Sequence, residues 1–362
     1  MEVLEKIKTW LKTGNNSLWM ATAALIALGT LSIYLLAPYQ EMRSGMPQGF
    51  FFGRYLPYLI FGIIMMIGCS RMSQKSIIRF SYILGGFSIL LFLFSFVQPH
   101  YIHGANRYVP FMWVNLNPYL LMLPAYIVLM SNWLSKESTK RNKILVWFGS
   151  TALTLLIVFA AIRAPYMSMA ATYCLAFLVL TMLARKKMPA TFYTSIAICT
   201  GIGALFVTAV LTMPHVHARL SEMMYGTSYM VQAAKNAIHS SSLIGSNAES
   251  IQAIIALPDV HTDLMFAGIV AKMGLLVGGL VIALYLWVAV LIAKKSEDTT
   301  QFRKLMNNGI LAVFILGMFG NVTTSIGGLQ YASYLPFMSC SWNALLSFCI
   351  MFGFILSKPE NN

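Results

Sequence analysis

The stretch Leu264-Met-Phe-Ala-Gly-Ile-Val-Ala-Lys-Met-Gly-Leu-Leu-Val-Gly-Gly-Leu-Val-Ile-Ala-Leu-Tyr-Leu-Trp-Val-Ala-Val-Leu-Ile-Ala293 carries one charge, Lys272, and stops against Lys294 and Lys295. As a helix it outreaches a hydrocarbon core of roughly 30 Å, and it has no polar face to turn toward water. Other apolar stretches of spanning length lie near residues 17 to 38, 54 to 70, 77 to 97, 109 to 134, 144 to 162, 165 to 184, 190 to 213, 306 to 329 and 335 to 357. With 58% apolar and 10% charged residues in 362, and a mean hydropathy of +0.71, a soluble domain is excluded. The sequence predicts an all-α integral membrane protein of ten transmembrane helices, a single polytopic domain over residues 1–362.

Orientation follows from Lys and Arg, which are retained on the cytoplasmic side of span ends. One set of ends carries Lys6, Lys8, Lys12, Arg71, Lys75, Arg79, Lys136, Lys140, Arg141, Lys143, Arg185, Lys186, Lys187, Lys294, Lys295, Arg303, Lys304 and Lys358. The opposite ends carry only Arg43, Arg54, Arg107, Arg163, Arg219 and Lys235. Both termini are therefore expected in the cytoplasm. The net charge of +14 is spread over short turns facing anionic membrane lipid, so it does not indicate nucleic acid. The first span, long and without a small-residue cleavage pattern, reads as a permanent helix rather than a signal peptide.

Sorting the polar residues by side moves attention outward. Glu41, Glu222, Glu249, Asp259 and Asp263, with all six histidines, fall outside or at the outer boundary. The spans hold almost no ionisable groups, which counts against an ion-coupled transporter, and no Gly-rich nucleotide loop supports an ATP-driven pump. The five cysteines lie in spans without metal-type spacing and are expected as free thiols. Residues 214–262 form a large external loop between the seventh and eighth spans, too long for a structureless connection. Within it Tyr229 to His239 reads as an interfacial helix, apolar at Met230, Ala233, Ala234 and Ile238. The alternative is a loop that only packs over the bundle.

At the end of this loop stands Leu257-Pro258-Asp259-Val260-His261-Thr262-Asp263. From the residues alone, Thr262 or Asp263 is placed to cap the following helix, an effect of about 1 kcal/mol. A carboxylate there is kept ionised by the helix N-terminus, while burial would push the other way. Arg107 suits phosphate oxygens by its planar charged fork, although the residues alone favour a snorkelling position among headgroups. Lys272, roughly 13 Å along a helix from Asp263, is expected inside the membrane, where a lysine is functional, snorkels to the interface or pairs with a partner protein. His215 and His217 would hold a divalent cation only if Glu222 or Glu249 converged on them, so no metal ligand is assigned.

Three stretches together resemble the SEDS proteins, the RodA, FtsW and SpoVE group. Gly104-Ala105-Asn106-Arg107-Tyr108 is similar to a Gly-Ala-Arg-Arg-Trp signature before the fourth span. Leu257 to Asp263, followed by Phe266, Ala267 and Gly274, is similar to Leu-Pro-Glu-x-His-Thr-Asp. Asn321 with Leu335-Pro336-Phe337-Met338-Ser339 resembles the closing Asn and Leu-Pro-Phe-Ile-Ser pattern. The resemblance implies a peptidoglycan glycosyltransferase in the bacterial cytoplasmic membrane, polymerising lipid II during elongation, division or sporulation. It implies Asp263 as the catalytic carboxylate, with Arg107, His261, Thr262, Asp259 and Lys272 as substrate-binding candidates. It also implies a class B penicillin-binding protein as partner.

Departures stand beside the matches. Asn117-Pro118-Tyr119-Leu120 and Leu123 lack two charges of the family pattern. Pro165-Tyr166-Met167-Ser168-Met169 lacks a carboxylate, Ala271 and Lys272 replace an acidic pair, and Ser341-Trp342 replaces Gly-Gly. These motivate a second expectation, a catalytically degenerate membrane scaffold recruiting the same partner. A third, a translocase for lipid-linked precursors, would need a polar path that the spans do not offer.

Overall fold

The computed structural model describes residues 14–97, 106–111, 114–136, 139–212, 217, 221, 228–297, 299–327 and 334–357. The charges up to Lys12 and from Lys358 onward lie outside the described residues, as do Gly104, Ala105, Arg219 and Glu222 with His100, His103 and His215. In chain order the elements are α1 (Gly14–Ser44), α2 (Phe50–Ser70), α3 (Gln74–Val97), the strands β1 (Val109–Phe111) and β2 (Val114–Leu116), α4 (Pro118–Ser135), α5 (Lys140–Arg163), α6 (Met167–Ala184) and α7 (Pro189–Thr212). They continue with α8 (Tyr229–His239), α9 (Ala248–Ala256), α10 (Met265–Met273), α11 (Leu275–Lys295), α12 (Gln301–Ser325) and α13 (Trp342–Leu356). Eight of the helices are long and apolar enough to cross a membrane: α1, α2, α3, α5, α6, α7, α11 and α12.

Three expected spans are corrected in detail. The stretch 109 to 134 opens with the two antiparallel strands, Val109 opposite Leu116, and only then becomes a helix. Asn117 caps that helix, its side chain accepting from the N–H groups of Tyr119 and Leu120, and Pro118 fills the first turn where its missing N–H costs nothing. The stretch 335 to 357 begins with a turn, and its helix starts at Trp342. The thirty-residue stretch 264 to 293 is two helices broken at Gly274, whose φ of 95° suits glycine and ends α10. Hydropathy does not register such a break, because both sides are equally apolar.

The chain divides into two compact units, Met1–Ile63 with Val207–Lys294 and Phe314–Leu345, and Ile64–Phe206 with Lys295–Val313 and Leu346–Asn362. In the second unit α4 is buried on nearly every face, which explains how it carries Tyr119 and Tyr126 inside. Their hydroxyls are satisfied, Tyr119 donating to Ala160 O at 2.9 Å and Tyr126 pairing with Thr154 at 2.8 Å. In the first unit α1 supplies a close-packing surface. A Cβ on Gly29 would stand 2.5 Å from the carbonyl oxygen of Phe337, and one on Gly268 of α10 would stand 2.5 Å from Val260 and 3.0 Å from Leu36. Gly29 thus lets α1 meet the backbone of the Leu335–Ser339 turn, and Gly268 makes room on α10 for the side chains of Val260 and Leu36.

The expected helix at Tyr229–His239 is present, but its packed side is turned. Val231, Ala233, Ala234 and Ala237 are buried, while Met230 and Ile238 are only half-buried. The alanines allow closer packing than a Met/Ile face would.

Candidate functional site

Asp263 closes a tight turn in the first unit. Asp259 takes the left-handed conformation, φ 46°, which aspartate tolerates better than most residues. Its carbonyl oxygen then accepts from the N–H of Thr262 at 2.9 Å and of Asp263 at 3.0 Å, and from the Thr262 hydroxyl at 3.4 Å. The side chain of Thr262 is thus engaged within the turn, and Asp263 is half-buried beside it.

The cap of α10 does not come from this turn. Its cap residue is Leu264, and the orphan N–H groups are met from α12: Phe266 N–H donates to Asn321 Oδ1 at 3.2 Å and Ala267 N–H to Ser325 Oγ at 3.2 Å. The amide nitrogen of Asn321 donates in return to the carbonyl oxygens of Thr262 (3.3 Å) and Asp263 (3.1 Å). One buried side chain therefore holds both the turn and the helix that follows. The capping role that competes for Thr262 and Asp263 in the sequence is filled by another helix.

The turn at Leu335–Ser339 grips the same segment. Ser339 Oγ accepts from Leu335 N–H at 2.5 Å and donates to Thr262 O at 3.1 Å, while Cys340 N–H donates to His261 O at 2.8 Å. Phe337 sits at φ 63°, an outlier for a bulky side chain, buried and held by its surroundings. Tyr285 donates to the Pro336 carbonyl. The structure thus brings together in space two of the three stretches that carry the family resemblance, separated by more than seventy residues.

His261 is placed two residues from Asp263 with its ring against Phe51, centroids 4.4 Å apart. Burial holds its pKa down at about 4, with the Asp259 carboxylate opposing, and Nδ1 is buried without a hydrogen-bond partner. The imidazole is therefore neutral near pH 7 and supplies no positive charge. Lys272 does not lie in a long apolar span, as the sequence suggests, because Gly274 ends α10 before α11 begins. Its Nζ donates to the hydroxyl of Tyr39 at 2.7 Å and lies 5.1 Å from that ring's centroid.

Arg107 belongs to the second unit. Its guanidinium lies over the rings of Tyr166 (5.3 Å) and Tyr108 (5.6 Å), and Nε is buried without a hydrogen-bond partner. Among the described residues no carboxylate pairs with it. Tyr166 stands at the position where the family pattern has an aspartate, so an aromatic face underlies Arg107 there. Arg163 and His217 are exposed. Among the described residues no group of three or more His, Cys, Asp or Glu side chains converges as a metal site would require.

The sequence alone did not point to several supporting residues. Glu41 is buried and its carboxylate accepts from the N–H groups of Gly49 (2.8 Å) and Phe51 (2.9 Å) at the start of α2. Arg43 reaches the last carbonyls of α9, 2.5 Å from Ala256 O, which also accepts from the Tyr229 hydroxyl at 2.8 Å. Ser325, Tyr39, Gly29 and Gly268 complete the support. Only Glu41 and Arg43 carried a sequence signal, as rare charges on the outer side.

The chain is 25% identical to the probable peptidoglycan glycosyltransferase FtsW of Thiomicrospira cyclica, over 94% of this chain and 90% of that protein. It is 23% identical to the corresponding protein of Caulobacter vibrioides, over 96% and 90%. Its fold is similar to a chain solved in a peptidoglycan synthase complex that coordinates polymerization and crosslinking, with a TM-score of 0.76, 17% identity and coverage of 94% and 96%. It is also similar to the rod shape determining protein RodA of Thermus thermophilus, with a TM-score of 0.67, 17% identity and coverage of 94% of each chain. The family profile of the FtsW, RodA and SpoVE cell cycle proteins matches residues 15–361. With eight membrane-length helices among the described residues and two of the family's motifs meeting at one turn, this multi-pass membrane protein belongs to the FtsW/RodA/SpoVE family of cell cycle proteins.

Proposed function

We propose that the chain is a peptidoglycan glycosyltransferase that polymerises lipid II into glycan strands at the outer face of the bacterial cytoplasmic membrane. The carrying observation is the clamp on Asp263. Asn321, Ser339 and the Cys340 N–H hold the backbone of His261, Thr262 and Asp263, and α12 rather than the turn caps α10. A carboxylate fixed through its own main chain is a suitable general base.

In the reaction Asp263 takes the proton from a sugar hydroxyl of the acceptor lipid II as that oxygen attacks the anomeric carbon of the lipid-linked donor. A glycosidic bond forms, and the bond from the anomeric carbon to the pyrophosphate oxygen breaks. Undecaprenyl pyrophosphate leaves with the electron pair. Arg107, raised on two tyrosine faces, is the candidate for the diphosphate, and Lys272 a second cation on the unit that carries Asp263. Thr262 and Asp259 shape the turn, while neutral His261 wedges it against Phe51.

The chain acts as a single polytopic domain with both termini cytoplasmic and the segment 214–262 external. Ten spans result if α4, buried on nearly all sides, and the fifteen-residue α13 cross with the eight longer helices. The partner is a class B penicillin-binding protein, which supplies the crosslinking.

The test is glycan-strand formation from lipid II by the purified chain with such a partner, comparing wild type with Asp263→Asn. Polymer that vanishes with the substitution, in a folded protein that still binds its partner, supports the transferase. No polymer from either chain, with partner binding intact, would replace it by the scaffold that the missing family charges suggest.

A further inference from the structure

The segment between α8 and α9 turns back onto the start of α11, and its tip is Leu243 and Ile244. Three main-chain bonds pin it there: Leu275 N–H to Ser242 O (3.0 Å), Leu276 N–H to Leu243 O (3.1 Å) and Gly245 N–H to Met273 O (3.0 Å). Within the tip, Ser242 Oγ donates to Gly245 O at 3.0 Å. The approach is close enough that a Cβ on Gly274 would stand 2.7 Å from Leu243 O, so the glycine that breaks the helix also seats the tip.

Pinned in this way, the two side chains still point away from the protein. Leu243 is 61% and Ile244 72% exposed. They continue an exposed strip on the membrane-length helix α11, where Leu276 and Leu280, one turn apart, are 54% and 59% exposed. No charged residue occurs from Ser240 to Ala248. Two exposed aliphatic side chains on an ordered external loop are costly in water, and hydrocarbon admits only backbone whose polar groups are satisfied internally. The carbonyls of Ser242, Leu243 and Gly245 and the N–H of Gly245 are satisfied in this way, so it is the side chains of Leu243 and Ile244, and not the remaining polar groups of the tip, that enter the hydrocarbon.

We propose that the Leu243–Ile244 tip is a hydrophobic anchor seated among the acyl chains of the outer leaflet, beside the first turn of α11. It fixes the level at which α8, α9 and α10 stand against the membrane. The proposal rests on α11 crossing the bilayer and not on any catalytic role, so it survives or fails independently of the glycosyltransferase reading.

The test adds one cysteine at a time to the full chain in a Cys199→Ala, Cys340→Ala background, which keeps only the buried Cys69, Cys174 and Cys349, reconstituted into phosphatidylethanolamine/phosphatidylglycerol nanodiscs. Ile244→Cys and Leu243→Cys are compared with Asn247→Cys, at an exposed polar position, and Leu280→Cys on the strip of α11. A water-soluble maleimide needs the thiolate, which hydrocarbon suppresses, so positions 243 and 244 are expected to react at least about tenfold more slowly than 247. Bimane attached at 244 before reconstitution is expected to be quenched when the lipids carry brominated acyl chains, as at 280. Alkylation at 243 and 244 as fast as at 247 would overturn the anchor. Protection without quenching would also overturn it, because a protein surface would then be covering the tip.

Discussion

Asn321→Leu removes the polar functions of the clamp while keeping a γ-branched side chain. Asn321 is fully buried and makes three hydrogen bonds to the segment that carries Asp263. The Thr262 carbonyl keeps its bond from Ser339, so the loss falls on the buried Phe266 N–H and on the Asp263 carbonyl. A buried polar group left without its partner costs about 1–3 kcal/mol. Because Asp263 is half-exposed, water can replace the bond to its carbonyl, which places the total near the lower end, about 2 kcal/mol. Expressed as displacement of the turn, a loss of one to two kcal/mol corresponds to a decrease of about five- to thirtyfold in glycan-strand formation. The assay is lipid II polymerisation by purified, partner-bound protein, with a thermal melt and size-exclusion profile to verify folding. The apparent KM for lipid II should change less than kcat, since Asn321 touches the loop and no lipid-binding side chain. Asn321→Asp preserves the acceptor for Phe266 N–H but sets a negative charge against two carbonyl oxygens, so it is expected to do no better. Wild-type polymerisation by folded Asn321→Leu would refute the positioning argument.

Three further outcomes are expected. Gly29→Val forces α1 off the Leu335–Ser339 turn, an overpacking cost of about 1–3 kcal/mol, read as a lower thermal midpoint together with reduced polymerisation. Glu41→Ala strips two N–H groups of their acceptor at the start of α2 and should cost about 1–2 kcal/mol in thermal stability, with Glu41→Gln losing less because one acceptor remains. For His261, the unfolded chain takes up a proton near pH 6.5 and the folded chain only near 4. The stability this group contributes is therefore complete above pH 6.5 and falls by up to about 1.4 kcal/mol per pH unit as the pH drops from 6.5 toward 4. Thermal melts between pH 4 and 7 should show a shallower acid limb for His261→Phe than for wild type.

Much of the architecture was legible without coordinates, because apolar length and the distribution of Lys and Arg are local properties. Eight of the expected spans are membrane-length helices, and the helix at Tyr229–His239 lies where its composition placed it. The turn at Leu257–Asp263 was equally visible as a pattern. Details set by dihedral angles were not. The strand pair Val109–Phe111 and Val114–Leu116 and the break at Gly274 lie within stretches whose hydropathy reads as continuous helix.

By itself the sequence determined that this chain enters the membrane, where most of its helices run, and which carboxylate to examine. Only the tertiary structure decided what holds Asp263: a helix cap supplied by Asn321 and Ser325, and a turn gripped by Ser339 and Cys340. Burial requires every polar backbone group to find a partner, and nothing in the local sequence says that the partner lies more than fifty residues away.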